Sequence, residues 1–185
     1  MSTTGRKNKV DVDKAYYARC IRQLKEWGAP VEGWYCVDII DVREDDDDAP
    51  LATCELCGCA HVRYVHVMEN DLYFEPVAVG CICAGIMEDD ILAAEERERQ
   101  MRNRAKRKRN FLKHEWCKGY RGFWRRVYRG QEVQIRELDG RYIVHAGNKV
   151  GNRYKGRPIT DLYSAIYAAF ELADPVEDIA CAKNR

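Results

Sequence analysis

Apolar positions at helical spacing open the ordered part of the chain. Tyr17, Cys20, Ile21, Leu24 and Trp27 share one face of a segment over residues 13–27, with Asp11 or Asp13 to cap its start and Gly28 and Pro30 to end it. The pattern predicts a packing helix with Cys20 as a core cysteine. Residues 33–42 then carry the strand formers Trp34, Tyr35, Cys36, Val37, Ile39, Ile40 and Val42 and predict a strand. Segments 61–69 and 72–79 flank Glu69-Asn70-Asp71 and predict a hairpin. Period two places Val62, Tyr64, His66 and Met68 on one face and Arg63, Val65 and Val67 on the other.

From residue 84 to about 114 helix formers dominate. Met87, Ile91, Ala94, Met101, Ala105 and Leu112 trace a narrow apolar stripe in steps of three, four or seven, and the rest is charged, acidic first and basic later. This reads as one helix of about 45 Å at the α-helical rise per residue. Its charge order suits the helix dipole, and Asn103 or Asn110 would be the place of any break. A linker over 115–122 leads to three strands, at 123–129, 132–138 and 141–146, with Arg129-Gly130 and Asp139-Gly140 as hairpin turns. A further short strand is expected around 153–156. The closing helix begins at Thr160, carries Leu162, Ile166, Tyr167, Phe170 and Leu172, and stops at Asp174-Pro175. The predicted class is α+β in two domains, 11–115 and 120–174, the second ββββα-like or βββα. Residues 1–10 and 175–185 are expected to be weakly ordered tails, with Cys181 a free thiol.

Charge changes this picture. The formal net charge is +1, yet residues 37–96 carry 16 acidic and 2 basic side chains, and residues 97–130 carry 14 basic and 2 acidic ones. Such segregation points to an anionic partner for the basic part, or to docking of the two parts on each other. Asp45, Asp46, Asp47 and Asp48 are consecutive. Adjacent carboxylates repel and lack the alternating spacing of a calcium loop, so the run reads as a solvated loop, beside a cation site or a nucleic-acid mimic. No apolar run approaches the ~20 residues of a membrane helix, so a soluble protein without a membrane partner is expected.

Five of the nine cysteines fall between Cys54 and Cys83. Cys54-Glu55-Leu56-Cys57-Gly58 has the form of a zinc knuckle, and Cys81-Ile82-Cys83 offers a second pair about one hairpin later. Zinc takes four N or S ligands in a tetrahedron, commonly two from each of two segments. The first choice of ligands is Cys54, Cys57, Cys81 and Cys83, with Cys59, His61 and His66 in reserve. The opening residues show no apolar leader, which favours a reducing cytoplasm, where clustered cysteines bind metal more often than they crosslink.

The segment resembles a treble-clef zinc-finger type scattered through bacterial and phage proteins of unassigned function, with a CxxCG knuckle, a hairpin and a VGxxC-like second half. The matching pieces are Cys54-Glu55-Leu56-Cys57-Gly58, Arg63-Tyr64-Val65-His66-Val67 and Val79-Gly80-Cys81-Ile82-Cys83-Ala84. The resemblance implies a treble-clef fold, work on nucleic acid, and a phage or mobile-element setting. The C-terminal unit looks like the arm-type DNA-binding domains of phage integrases, through its strand order and Arg141-Tyr142, Tyr154-Lys155-Gly156-Arg157 and Ser164-Ala165-Ile166. That resemblance implies a sheet face in a groove, read by Arg125, Arg136, Arg141 and Arg157.

Enzyme templates fail. There is no H-x-E with P-C-x-x-C, no H-E-x-x-H, no phosphate loop and no nucleophile elbow. The expectation is a non-enzymatic zinc protein that binds nucleic acid. Phosphates would meet Arg102, Arg104, Lys106, Arg107, Lys108, Arg109 and Lys113 on the long helix, and bases the C-terminal sheet. Two alternatives stand beside it: a protein-interaction module acting through the acidic segment, and an HNH-like nuclease using His61 or His66.

Overall fold

The structure is a computed structural model that describes residues 13–119, 122–176 and 179. The N-terminal tail, residues 180–185 and Cys181 lie outside the described residues. The class is α+β, with four helices and antiparallel sheets among the described residues. No described helix is long and apolar enough to cross a membrane. Two compact units divide at Met101/Arg102, inside the long helix, rather than at the expected linker.

The first unit opens with α1 (Lys14–Glu26), capped by Asp13, whose carboxylate accepts from Ala15 N–H at 3.1 Å. The chain leaves the helix through Gly28 at φ +68°, a conformation that costs glycine nothing. The buried face is the expected one at Cys20, Ile21, Leu24 and Trp27, and differs only at its start, where Tyr16 replaces Tyr17. Cys20 and Leu24 are fully buried, Tyr16 packs beside them, and Tyr17 is exposed. Strands β1 (Tyr35–Asp41), β2 (Tyr64–Asn70) and β3 (Tyr73–Val79) form an antiparallel sheet in that order. In the central strand His66 lies opposite Ile39 on one side and Val79 on the other. Trp34, Met68, Val77, Val79, Ile86 and Met87 join Cys20 and Leu24 in one core.

The single helix expected over 84–114 is two helices, α2 (Cys81–Met87) and α3 (Ile91–Lys113). The break is at 88–90, not at Asn103 or Asn110. Asp89 takes φ +56°, Asp90 N–H closes back on Gly85 carbonyl at 2.9 Å, and the Asp90 carboxylate accepts from Ala93 N–H at 2.9 Å. Gly85 makes this possible, since a Cβ there would come within 2.5 Å of Ile91 Cα. Asp90 therefore caps a new helix, where the sequence pattern suggests only dipole pairing inside an old one.

The second unit holds β4 (Cys117–Lys118), β5 (Phe123–Tyr128), β6 (Gln131–Leu138), β7 (Arg141–Ala146) and β8 (Lys149–Gly151) in one five-stranded antiparallel sheet. Three of these strands match the expected ones closely, and part of the expected linker is β4. The Arg129-Gly130 and Asp139-Gly140 turns have both residues at positive φ, the type I′ conformation that such pairs signal. A separate pair, β9 (Arg153–Tyr154) and β10 (Arg157–Pro158), precedes α4 (Leu162–Ala173). Asp161, rather than Thr160, caps α4 through Ser164 N–H at 2.7 Å. Phe111, Trp124, Val133, Ile135, Val144 and Phe170 make the core.

Three members of the expected phosphate-binding run are structural. Arg104 is 2% exposed; it donates to the Asp174 carbonyl at 2.8 Å and pairs with Glu171. Lys108, 4% exposed, reaches Glu171 at 2.9 Å. Arg107 forks onto the Asp174 carboxylate at 2.6 and 2.9 Å. Burial by itself would raise the Asp174 carboxyl, but bonds from Arg107 and Tyr128 and the charges of Arg107 and Arg129 hold it below its ordinary 3.8. A carboxylate depressed in the folded state stabilises above its unfolded value, and that contribution is lost as pH falls through the folded one. The second unit is therefore expected to weaken below about pH 4. Acid melts of Asp174→Asn should show a lower neutral-pH Tm and a flatter acid limb; an unchanged acid limb would contradict this.

Candidate metal centre and basic sheet face

The knuckle is held by its own backbone. Cys54 N–H donates to Cys59 carbonyl and Gly58 N–H to Cys54 carbonyl, each at 2.8 Å, with Gly58 at φ +75°. Gly80 N–H, just before α2, points at Cys54 Sγ from 3.4 Å. Glu55 ties the turn to β3 by accepting from Ala78 N–H at 2.6 Å and donating its own N–H to Ala78 carbonyl at 3.0 Å. These bonds aim the Cys54 and Cys57 thiols at the first turn of α2.

There the sulfurs of Cys54, Cys57 and Cys83 come together, all within 4.8 Å of one another. Cys54 and Cys83 are buried and Cys57 half-buried. A fourth sulfur arrives from a distant part of the chain: Cys20 Sγ of α1 lies 4.0 Å from Cys83 Sγ. Sulfurs around a tetrahedral zinc, with bonds of about 2.3 Å, sit about 3.8 Å apart. The spacing of Cys54, Cys57 and Cys83 therefore suits thiolates on one ion, and the 4.0 Å between Cys20 and Cys83 is close to that value and far too long for a disulfide. Tyr16 Oη contacts Cys83 Sγ at 2.9 Å, a bond that the phenol can donate to a thiolate.

The thiols share protons unequally. The Cys54 thiol is held down at about 5, chiefly by a bond from Cys83 and also by the Gly80 and Cys57 N–H groups. Cys20 is lowered by its own bond with Cys83, and Cys83 is raised in return by Cys20 and Cys54. Burial drives the Tyr16 hydroxyl upward, reinforced by Cys57 and Cys83, so it stays a proton donor. The cluster thus retains negative charge in a buried setting, which a divalent cation would neutralise.

Of the four expected ligands the structure brings three together. Cys81 is not among them. Residues two apart on a helix differ by about 200° around its axis, so Cys81 and Cys83 face opposite sides of α2. Cys81 lies instead with His66 and Glu98. Its thiol is pushed up to about 12 by burial first, then by the Glu98 and Glu95 carboxylates. Cys59 and His61, the reserve ligands, are exposed. Cys20 is the neighbour of the cluster that sequence reasoning missed: its helical face is a local signal, but a separation of 63 positions from Cys83 hides the contact.

The remaining expected nucleic-acid contacts fall on two surfaces of the second unit. On α3, Arg102, Lys106, Arg109 and Lys113 are exposed and, at steps of four, three and four, share one helical face. The other surface is the sheet face away from Trp124, Val133, Ile135 and Val144. Register puts Arg125 beside Gln134 and Gln134 beside His145, with Phe123 beside Arg136 in the next row. Arg136 lies over the Phe123 ring, 4.4 Å from its centre. Gly119, Phe123, Arg125 and Gln134 line a shallow concavity of about 340 Å³ on this side. Arg141, at the start of β7, and Arg157, on β10, are also exposed. Trp124 and Tyr142 are not available for base stacking on the open face, since both pack in the core. Tyr128 packs there too, its hydroxyl donating to Asp174 at 2.6 Å.

Comparison with protein families, with curated proteins and with solved structures finds no match.

Proposed function

We propose that this chain is a non-enzymatic zinc-finger protein of the cytoplasm that binds nucleic acid. The observation that carries the zinc reading is the convergence of Cys54, Cys57 and Cys83 from the knuckle and α2, with Cys20 of α1 placed 4.0 Å from Cys83 as the fourth thiol. Four thiolates fill the tetrahedron, and a closed shell of this kind is structural rather than catalytic. Bound zinc would tie α1 to the knuckle and to α2, while Tyr16 and Gly80 N–H donate to its sulfurs. The order of knuckle, β2–β3 hairpin and α2 is that of a treble clef. Full burial of His66 speaks against its use as a nuclease base at the surface.

For nucleic acid the support is chemical. Arg102, Lys106, Arg109 and Lys113 offer four exposed cations on one helical face, suited to phosphates. The sheet face adds Arg125 and Arg136 with Phe123 and Gln134, a mix of cations, a stacked guanidinium and an amide suited to bases or sugars. Fluorescence anisotropy against single-stranded DNA, duplex DNA and RNA across a salt series tests this. Affinity should fall steeply with salt for one of them, and Lys106→Glu with Arg109→Glu should weaken binding about tenfold or more and flatten the salt slope by about two. Unchanged binding in that variant would refute the phosphate face.

A second reading rests on the exposure of all four side chains from Asp45 to Asp48. It makes the chain a module, such as a phage-type inhibitor or accessory subunit, that covers a basic surface of a nucleic-acid-handling complex. Zinc content without affinity for any of the three nucleic acids would favour it.

A further inference from the structure

The side of α2 opposite the thiol cluster holds a second set of ligand atoms. A ring nitrogen of His66, Cys81 Sγ and a carboxylate oxygen of Glu98 all lie within 4.8 Å of one another. They come from β2, the first turn of α2 and the first half of α3. His66 is 0% exposed, and its Nε2 is buried with no hydrogen-bond partner. A buried imidazole nitrogen without a partner is costly, since its desolvation is uncompensated. The other nitrogen, Nδ1, sits 3.9 Å from Cys36 Sγ, which in turn reaches the Asp38 carbonyl at 3.2 Å. Metal-bound histidines usually have this arrangement: one nitrogen is fixed by a neighbour, and the other is left as the ligand.

We infer that His66, Cys81 and Glu98 form a second metal site, independent of the tetrathiolate centre, which takes a borderline divalent ion of the zinc class. One imidazole, one thiolate and one carboxylate match the donor preferences of zinc, cobalt(II) or iron(II). Magnesium and calcium, which want oxygen alone, are excluded by the same set. Two features bear on the charge. A dication meets two negative ligands once the Cys81 proton is displaced, and Glu95 adds a third negative charge nearby. Arg97 opposes it, but its guanidinium pairs with Glu88. Three protein ligands leave a fourth position for water or a further group, unlike the closed shell on the other side of α2.

The site has a structural consequence. Glu98 lies on α3 and Cys81 on α2, so an ion here would bind the two helices across the 88–90 turn and fix both to the central strand of the sheet. The cysteines of the Cys-Ile-Cys step would then serve two ions, one on each side of α2.

The test is metal stoichiometry by mass spectrometry on the full chain, loaded with zinc and desalted. The expected result is two ions per chain, falling to one in Glu98→Gln, with the amide backbone spectrum of the first unit retained. Glu98 is half-buried on a helix, so this isosteric change keeps the fold. His66→Gln should behave alike where it folds. Cys57→Ser should lose the thiol-centre ion and, because the first unit is held by it, the second ion as well, whereas Glu98→Gln spares the thiol centre. One ion per chain that Glu98→Gln leaves in place would overturn the second site and spare the tetrathiolate reading. One ion lost in Glu98→Gln but kept in Cys57→Ser would overturn the tetrathiolate reading instead. Two ions retained in Glu98→Gln would overturn the present inference.

Discussion

Cys83→Ser is expected to abolish zinc binding at the thiol cluster and to remove the cooperative melt of the first unit. Cys83 is the sulfur on which the others converge: it contacts Cys20 at 4.0 Å and Tyr16 at 2.9 Å, and shares the cluster with Cys54 and Cys57. Structural zinc in small fingers is worth an apparent 10–16 kcal/mol or about that, against a total stability of about 5–15 kcal/mol for an ordinary domain. The unit does have an apolar core of its own around Leu24, Trp34, Met68 and Val79. That core is built on the elements the cluster joins, so losing the ion leaves a buried group of thiols with nothing to neutralise them. Scanning calorimetry should show one transition lost from Cys83→Ser and the transition of residues 102–179 retained. Excess chelator should reproduce the effect on the wild-type chain. A normal first transition in the zinc-free chain would contradict it.

Arg104→Ala is expected to destabilise the second unit by about 2–4 kcal/mol through lost packing and an unsatisfied carbonyl, since the part-exposed Glu171 keeps Lys108 as a partner. Arg104 is the largest fully buried side chain among the described residues. Its guanidinium lies over the Phe170 ring, 5.0 Å from the centre, while bonding the Asp174 carbonyl and Glu171 at the end of α4. Truncation leaves that carbonyl without its donor and opens a void beside Phe170. Arg102→Ala, two residues earlier and exposed, should change stability by less than about 0.5 kcal/mol. Urea unfolding of the two variants makes the comparison. Equal stabilities would mean that the buried pair contributes nothing, and the separation of the basic run into structural and surface cations would fail.

That separation shows where the amino-acid pattern was legible and where it misled. Local signals read well. Asp13 and Gly28 bracket α1, Arg129-Gly130 and Asp139-Gly140 turn the hairpins, and Asp174 ends α4, because caps and turns depend on residues a few positions apart. The buried stripe of α3 was obscured by its charges. Ala94, Arg97, Met101, Arg104, Lys108 and Phe111 are all buried, at steps of three and four, yet three of the six are cations. Glu88 pairs with Arg97, Glu171 with Arg104 and Lys108, and the Asp174 carbonyl accepts from Arg104; Glu171 and Asp174 are more than 60 residues distant in the chain. The helix break was overlooked because Gly85 lies inside a strong run of helix formers; its role depends on contact with Ile91.

The candidate metal ligands divide in the same way. Cys54 and Cys57 were legible because a knuckle is a local turn. Cys83 was legible with its neighbour, but helix geometry sends Cys81 to the other face. Cys20 had no local mark that tied it to Cys83, and His66 lies with Cys81 and Glu98 rather than with the thiols.

The tetrathiolate centre is read most directly by cadmium-113 NMR of the cadmium-substituted chain. Cadmium held by four thiolates resonates far downfield of cadmium held mainly by nitrogen and oxygen. The predicted spectrum has one such downfield line, lost in Cys20→Ser and unaffected by Glu98→Gln. A chain with no downfield line, or one whose line persists unshifted in Cys20→Ser, would contradict a centre built from Cys20, Cys54, Cys57 and Cys83.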